Sequence, residues 1–156
     1  MASEIERKFM PDGVPEEAAG GVATQIEQGY VAVTDEVEVR LRRAEGARLL
    51  TAKRGSGEAR EEVEIELTPE QFDALWPLTE GRRLAKERRA VPLGDGLGAE
   101  VDIYRGRLRG LTIVEVEFDS EQRSRAFEAP AWMGVEVTGE KRYANQTLAL
   151  RDRPPV

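Results

Sequence analysis

Along most of this chain, ionic and apolar residues alternate. In S-E-I-E-R-K-F, Ser3 to Phe9, the side chains of Glu4, Glu6 and Lys8 take one set of alternate positions and Ile5, Arg7 and Phe9 the other. In an extended backbone, alternate side chains share a face, so the three ionic groups point one way while Ile5 and Phe9 point the other. The same period recurs in Q-G-Y-V-A-V, E-V-E-V-R-L-R, R-L-L-T-A-K-R, E-E-V-E-I-E-L, E-V-D-I-Y and T-I-V-E-V-E-F, each of which reads as a strand. Turn signals stand between or after them, among them Pro11-Asp12-Gly13, Glu45-Gly46, Gly55-Ser56-Gly57 and Gly94-Asp95-Gly96, and the short spacings imply antiparallel neighbours.

A few helices interrupt the strands. Thr68-Pro69-Glu70-Gln71 reads as an N-cap with proline at the first helical position, opening a helix that stops near Trp76-Pro77. Ser120-Glu121 opens a second that ends before Pro130, and Lys141 to Arg151 is expected to form a C-terminal helix. The expected fold class is therefore mainly β (α+β): about eight antiparallel strands closing into a β-barrel with a few short helices. At 156 residues the chain suits one domain, expected over 1–151, with 152–156 as a frayed tail.

Composition narrows the chemistry. The chain has no cysteine and no histidine, so disulfides and thiolate metal sites are excluded, and the commonest general base is missing. Carboxylates, lysines and tyrosines remain, and a metal held by carboxylates alone would be a hard one such as Mg²⁺, Mn²⁺ or Ca²⁺. A formal net charge of -7 argues against a nucleic-acid binder that works by phosphate neutralisation. No apolar run approaches a membrane span and no signal peptide is visible, so a cytoplasmic location is expected.

The ionic rows run strand by strand: Glu4, Glu6, Lys8; Glu38, Arg40, Arg42; Lys53; Glu62, Glu64, Glu66; Lys86, Arg88; Glu100, Asp102; Glu115, Glu117, Asp119. Any single row suits a solvated outer face. The full set points instead to a shared inner face, where carboxylates hold hard cations while Lys and Arg make charge-assisted hydrogen bonds to a polyphosphate.

E-x-E-x-K at Glu4-Glu6-Lys8, R-x-R at Arg40-Arg42, Lys53, E-x-E at Glu62-Glu64, K-x-R at Lys86-Arg88, E-x-D at Glu100-Asp102 and E-x-E at Glu115-Glu117 together resemble the CYTH superfamily, the triphosphate tunnel metalloenzymes. The likeness is to short bacterial members that hydrolyse inorganic tripolyphosphate, and L-W-P at Leu75-Pro77, E-G-R-R at Glu80-Arg83 and K-R-Y-A-N at Lys141-Asn145 extend it. The resemblance implies an eight-stranded tunnel with Lys8, Arg40, Arg42, Lys53, Lys86, Arg88 and Lys141 on the triphosphate. By the same likeness Glu4, Glu6, Asp102, Glu115 and Glu117 surround two Mg²⁺ or Mn²⁺ ions, and Glu62 or Glu64 assists. Lys8 or Lys86 could serve as general base, with phosphate clamping as the other reading of each and the leading one for Lys8, and Tyr30 matches a strand tyrosine that partners a lysine in some relatives, with a barrel-wall aromatic as its leading reading.

Other readings stand beside this one: thiamine triphosphatase, class IV-type adenylate cyclase, an RNA 5′-triphosphatase, or a non-catalytic polyphosphate-binding module. The expected partner is a small polyphosphate rather than nucleic acid or membrane. Edges and helices leave room for a homodimer, but no self-complementary patch is identifiable.

Overall fold

The computed structural model describes residues 5–55 and 61–155; Glu4 and the Ser56-Gly57 turn lie outside them. The strands are β1 (Ile5–Met10), β2 (Ala23–Val33), β3 (Val37–Ala44), β4 (Ala47–Arg54), β5 (Glu61–Glu66), β6 (Arg83–Gly94), β7 (Leu97–Tyr104), β8 (Thr112–Phe118) and the two-residue β9 (Val135–Glu136). They form one sheet in the order β5-β4-β3-β2-β6-β7-β8-β1-β9, with every pair antiparallel. The eight expected strands are thus present, with β9 added beside β1. Among the described residues no backbone ladder joins β5 to β9, so the curled sheet has a seam there.

Both sheet faces are buried, at different places. On the inner face Tyr30, Leu84, Tyr104 and Ile113 pack with Leu108, Leu111, Tyr143 and Leu148, plugging one end of the curl. On the outer face Phe9, Val101, Val114, Val116 and Phe118 pack beneath Met133, Phe127 and Trp132. Phe9 is buried with Val114 as its cross-strand partner, which fulfils the expectation that it points away from the ionic row.

The helices follow their caps. Helix α1 (Pro69–Leu75) begins with a complete capping box, Thr68 accepting from the Gln71 backbone and Gln71 accepting in return. Ser120 caps α2 (Glu121–Ala126) by accepting from the Arg123 backbone. The expected continuous C-terminal helix is instead a 3₁₀ turn, Lys141–Tyr143, followed by the short α3 (Asn145–Leu148). Ala144, extended at φ -69 and ψ 139, separates the two. That break sets Ala144, Asn145 and Gln146 against the inner face, where an unbroken helix would present other side chains. Among the described residues no helix is long and apolar enough to cross a membrane.

Candidate active site

Beyond the apolar plug, the inner face encloses a cavity of about 230 Å³. Its lining takes Lys8 from β1, Arg40 and Arg42 from β3, Lys53 from β4 and Arg88 from β6, facing carboxylates Glu6, Glu38, Glu100, Glu115 and Glu117. Register explains the convergence. Arg40 lies opposite Tyr30, Arg42 opposite Gln28, Lys53 opposite Glu38, and Lys8 opposite Glu115. Directly paired residues of an antiparallel ladder share a face, so each ionic row adds to the same wall.

Arg88 is fully engaged by carboxylates, donating to Asp102 and pairing with Glu100 at 2.5 Å, while three other contacts are longer. Lys53 lies 3.8 Å from Glu62, Lys8 3.8 Å from Glu115, and Arg40 4.0 Å from Glu38, all at the loose end of ion pairing. Among the described residues Arg40 Nε is buried and makes no hydrogen bond, and the same holds for Arg48 Nε outside the cavity. Arg42 donates from Nε to Gln28 Oε1 at 2.9 Å, and burial, with Arg40 and Arg88 nearby, lowers its pKa. Arg42 stands close enough to Arg40 and Arg88 to be repelled by them, and a polyanion between them would relieve that repulsion.

Asp102 and Lys86 stand one layer behind. The Lys86 amine donates to Asp102 Oδ2 at 2.7 Å and Arg88 donates to both carboxylate oxygens at 2.7 and 2.9 Å, while neither the Lys86 nor the Asp102 side chain is exposed. Neither lines the cavity. Burial lowers the Lys86 pKa against the pull of Asp102, and Arg88 adds to the lowering. Burial alone would raise the Asp102 carboxyl, but Lys86 and Arg88 outweigh it and hold the group at about 2. Tyr30 lines the cavity, and burial, with Glu38, pushes its phenol up to about 12.

The remaining expected residues are scattered. Glu64 accepts from Thr51 and Glu62 pairs with Lys53, both on β5 outside the cavity lining. Lys141 is exposed beside a neighbouring hollow that it shares with Glu6 and Lys8. Glu38, Glu100, Asn145 and Gln146 line the cavity without having been assigned from sequence, although Glu38 and Glu100 stood in the ionic rows and Asn145 in K-R-Y-A-N. Gln28, uncharged, gave no such signal. Both tryptophans lie outside: Trp76 stacks on Phe72 at 5.2 Å with the Arg83 guanidinium 4.5 Å from its ring, and Trp132 packs on the outer core.

Glu6 is the cross-strand partner of Glu117, and Glu100 of Glu115, so like charges sit directly opposite each other twice within one cavity wall. Lys8 beside Glu115 and Arg88 beside Glu100 offset part of that repulsion, and a bound cation would offset more. All-oxygen donors suit hard divalent ions. Among the described residues no three carboxylates already converge as a ligand cluster, so oxygens of a bound phosphate would have to complete the coordination. With that completion, the residues fit the ion.

An antiparallel curl with an apolar plug at one end and an ionic lumen at the other defines the class as a β tunnel. The chain belongs to the CYTH domain family, whose model matches residues 2–145. It is 44% identical to an inorganic triphosphatase of Nitrosomonas europaea, over 95% of this chain and 97% of that one. It is 36% identical to an inorganic triphosphatase of Acetivibrio thermocellus, over 95% and 94% of the two chains. A crystal structure of an inorganic triphosphatase superposes with a TM-score of 0.74 at 43% identity, covering 97% of each chain.

Proposed function

We propose that this chain hydrolyses inorganic tripolyphosphate to pyrophosphate and phosphate inside the tunnel, with a divalent metal, Mg²⁺ or Mn²⁺, as cofactor. The observation that carries the reading is the meeting of five cations and five carboxylates from six strands around one small cavity. The two similar triphosphatases add to it.

Phosphoanhydride hydrolysis is mostly a matter of positioning and neutralising charge. Arg40, Arg42, Lys53 and Arg88 grip phosphate oxygens, Arg42 with its terminal nitrogens. Lys8 holds the end of the chain nearest Glu115. Glu6, Glu115 and Glu117 would hold the metal, with Glu4 continuing their row in sequence. When bound, the ion neutralises phosphate charge and acidifies neighbouring water. Tyr30 donates its phenolic hydrogen into the cavity, and the high pKa keeps that hydrogen in place. Lys86 and Asp102 aim Arg88 from behind the cavity wall.

The lining favours an inorganic substrate. Tyr30 is the only aromatic side chain lining the cavity among the described residues, and its face belongs to the apolar plug, so no platform for a thiazole or nucleobase is present there. We place the activity in a single tunnel domain over 1–151, in the cytoplasm. Catalytic efficiencies with tripolyphosphate, thiamine triphosphate and ATP, each with Mg²⁺ or Mn²⁺, test the reading. Tripolyphosphate should exceed the others, and a preference for either organic triphosphate would overturn it.

A further inference from the structure

Gln28 is fully buried on β2, two residues from Tyr30 and directly opposite Arg42 on β3. Its Oε1 accepts from Arg42 Nε at 2.9 Å and its Nε2 donates to the Tyr30 hydroxyl oxygen at 2.7 Å. The amide has one possible orientation. Guanidinium nitrogens only donate, so the oxygen must face Arg42 and the NH₂ must face Tyr30. Two consequences follow for groups that line the cavity.

The phenol oxygen is occupied as an acceptor, so its own hydrogen is free to be donated elsewhere. Among the described residues no acceptor takes it. Arg42, pinned at Nε, has its planar fork fixed in direction, and its terminal nitrogens make no hydrogen bond among the described residues. Gly29, between Gln28 and Tyr30, holds this stretch of β2 in place. A Cβ there would stand 2.6 Å from Thr79 Cβ, so the 3₁₀ turn Trp76–Thr79 (carrying Thr79) packs directly on the backbone.

We propose that Gln28 is a positioning residue that sets the polarity of Tyr30 and the direction of Arg42 at once, making the phenol a donor and the guanidinium fork an acceptor-seeking clamp on the same phosphate chain. The inference rests on the proposed roles of Tyr30 and Arg42, and its test separates the two. An amide is the side chain suited to this position, because a carboxylate accepts from both neighbours and an apolar chain serves neither.

The experiment compares Gln28→Glu, Gln28→Met, Tyr30→Phe and the double variant Gln28→Met/Tyr30→Phe, measuring kcat, KM and Tm, with calorimetric titration of tripolyphosphate in chelator. Gln28→Glu keeps the Arg42 contact but turns the Tyr30 hydrogen inward, so kcat should fall about tenfold, to the Tyr30→Phe level, with Tm unchanged or raised. Gln28→Met should lower kcat and weaken tripolyphosphate binding together, each by roughly tenfold, because it releases both partners. The double variant should have the kcat of Gln28→Met alone, since one pathway is lost in each.

Wild-type kcat in Gln28→Glu, or losses that multiply in the double variant, would overturn the coupling to Tyr30. Unchanged binding by Gln28→Met would overturn the coupling to Arg42. A wild-type chain that binds tripolyphosphate without cleaving it would remove the proposed activity, and the titrations would still decide whether Gln28 directs Arg42.

Discussion

The Lys86 amine lies 2.7 Å from Asp102 Oδ2, with both side chains sealed from solvent. The pair supports the active site from one layer below, because Asp102 also accepts from Nε and Nη2 of Arg88, which does line the cavity. Removing one member of a buried ion pair leaves the other uncompensated and costs about 3–5 kcal/mol. Asp102→Asn should therefore lower Tm by roughly 10 °C and reduce kcat/KM through a misdirected Arg88. Thermal unfolding monitored by circular dichroism checks the first, steady-state kinetics the second.

Acid should act through the same carboxyl. Its folded pKa of about 2 lies below the unfolded value, so its contribution is complete above about pH 4 and is lost as pH falls through about 2. Urea unfolding between pH 5 and pH 2 should show wild type losing its advantage over Asp102→Asn across that window. A constant difference down to pH 2 would contradict the assignment.

Phosphate donors should matter to turnover far more than to folding. Arg40→Ala and Arg42→Ala should each lower kcat/KM by at least about a hundredfold. Tm should stay within a few degrees of wild type for Arg40→Ala, which removes a loosely paired cation rather than core volume, and should fall further for Arg42→Ala, which leaves the buried Gln28 Oε1 without its donor. Full activity in either variant would remove that residue from the substrate.

Metal dependence has two readouts. Excess EDTA should stop hydrolysis, and unchanged rates would rule out the metal's role. Independently, Mg²⁺ or Mn²⁺ should raise Tm by binding the folded chain. Glu6→Gln or Glu117→Gln should reduce that rise, because the two residues are cross-strand partners.

Gly29→Ala should destabilise without touching the lumen. The added methyl would meet Thr79 at 2.6 Å and force the 3₁₀ turn off β2, costing about 1–3 kcal/mol. Chemical denaturation measures it, and a cost below about 0.5 kcal/mol would show that the turn yields freely.

Period-two spacing made the faces of the strands legible, because a strand has only two. Glu6, Lys8, Arg40, Arg42, Lys53, Arg88, Glu115 and Glu117 were all assignable to one wall on that ground, and all line the cavity. Depth along the wall was not legible. Lys86 and Arg88 are two residues apart on one face, yet Lys86 is sealed beside Tyr104 while Arg88 reaches the cavity, a difference set by the plug of Tyr30, Tyr104, Tyr143 and Leu148 drawn from distant segments. Glu62 and Glu64 likewise share the inner side of β5 but engage Lys53 and Thr51 there. Gln28 escaped because a search for charge passes over an amide whose role depends on two neighbours. The C-terminal break at Ala144 escaped because Tyr143, Leu148 and Leu150 keep roughly helical spacing whether or not the helix is continuous.

A crystal structure of the chain with tripolyphosphate and Mn²⁺ tests the central claim most directly. Phosphate density should lie in the lumen between Arg40, Arg42, Lys53 and Arg88, with an anomalous Mn²⁺ peak on the side of Glu6, Glu115 and Glu117. Phosphate and manganese bound only on the outer surface, with the lumen holding neither, would contradict it.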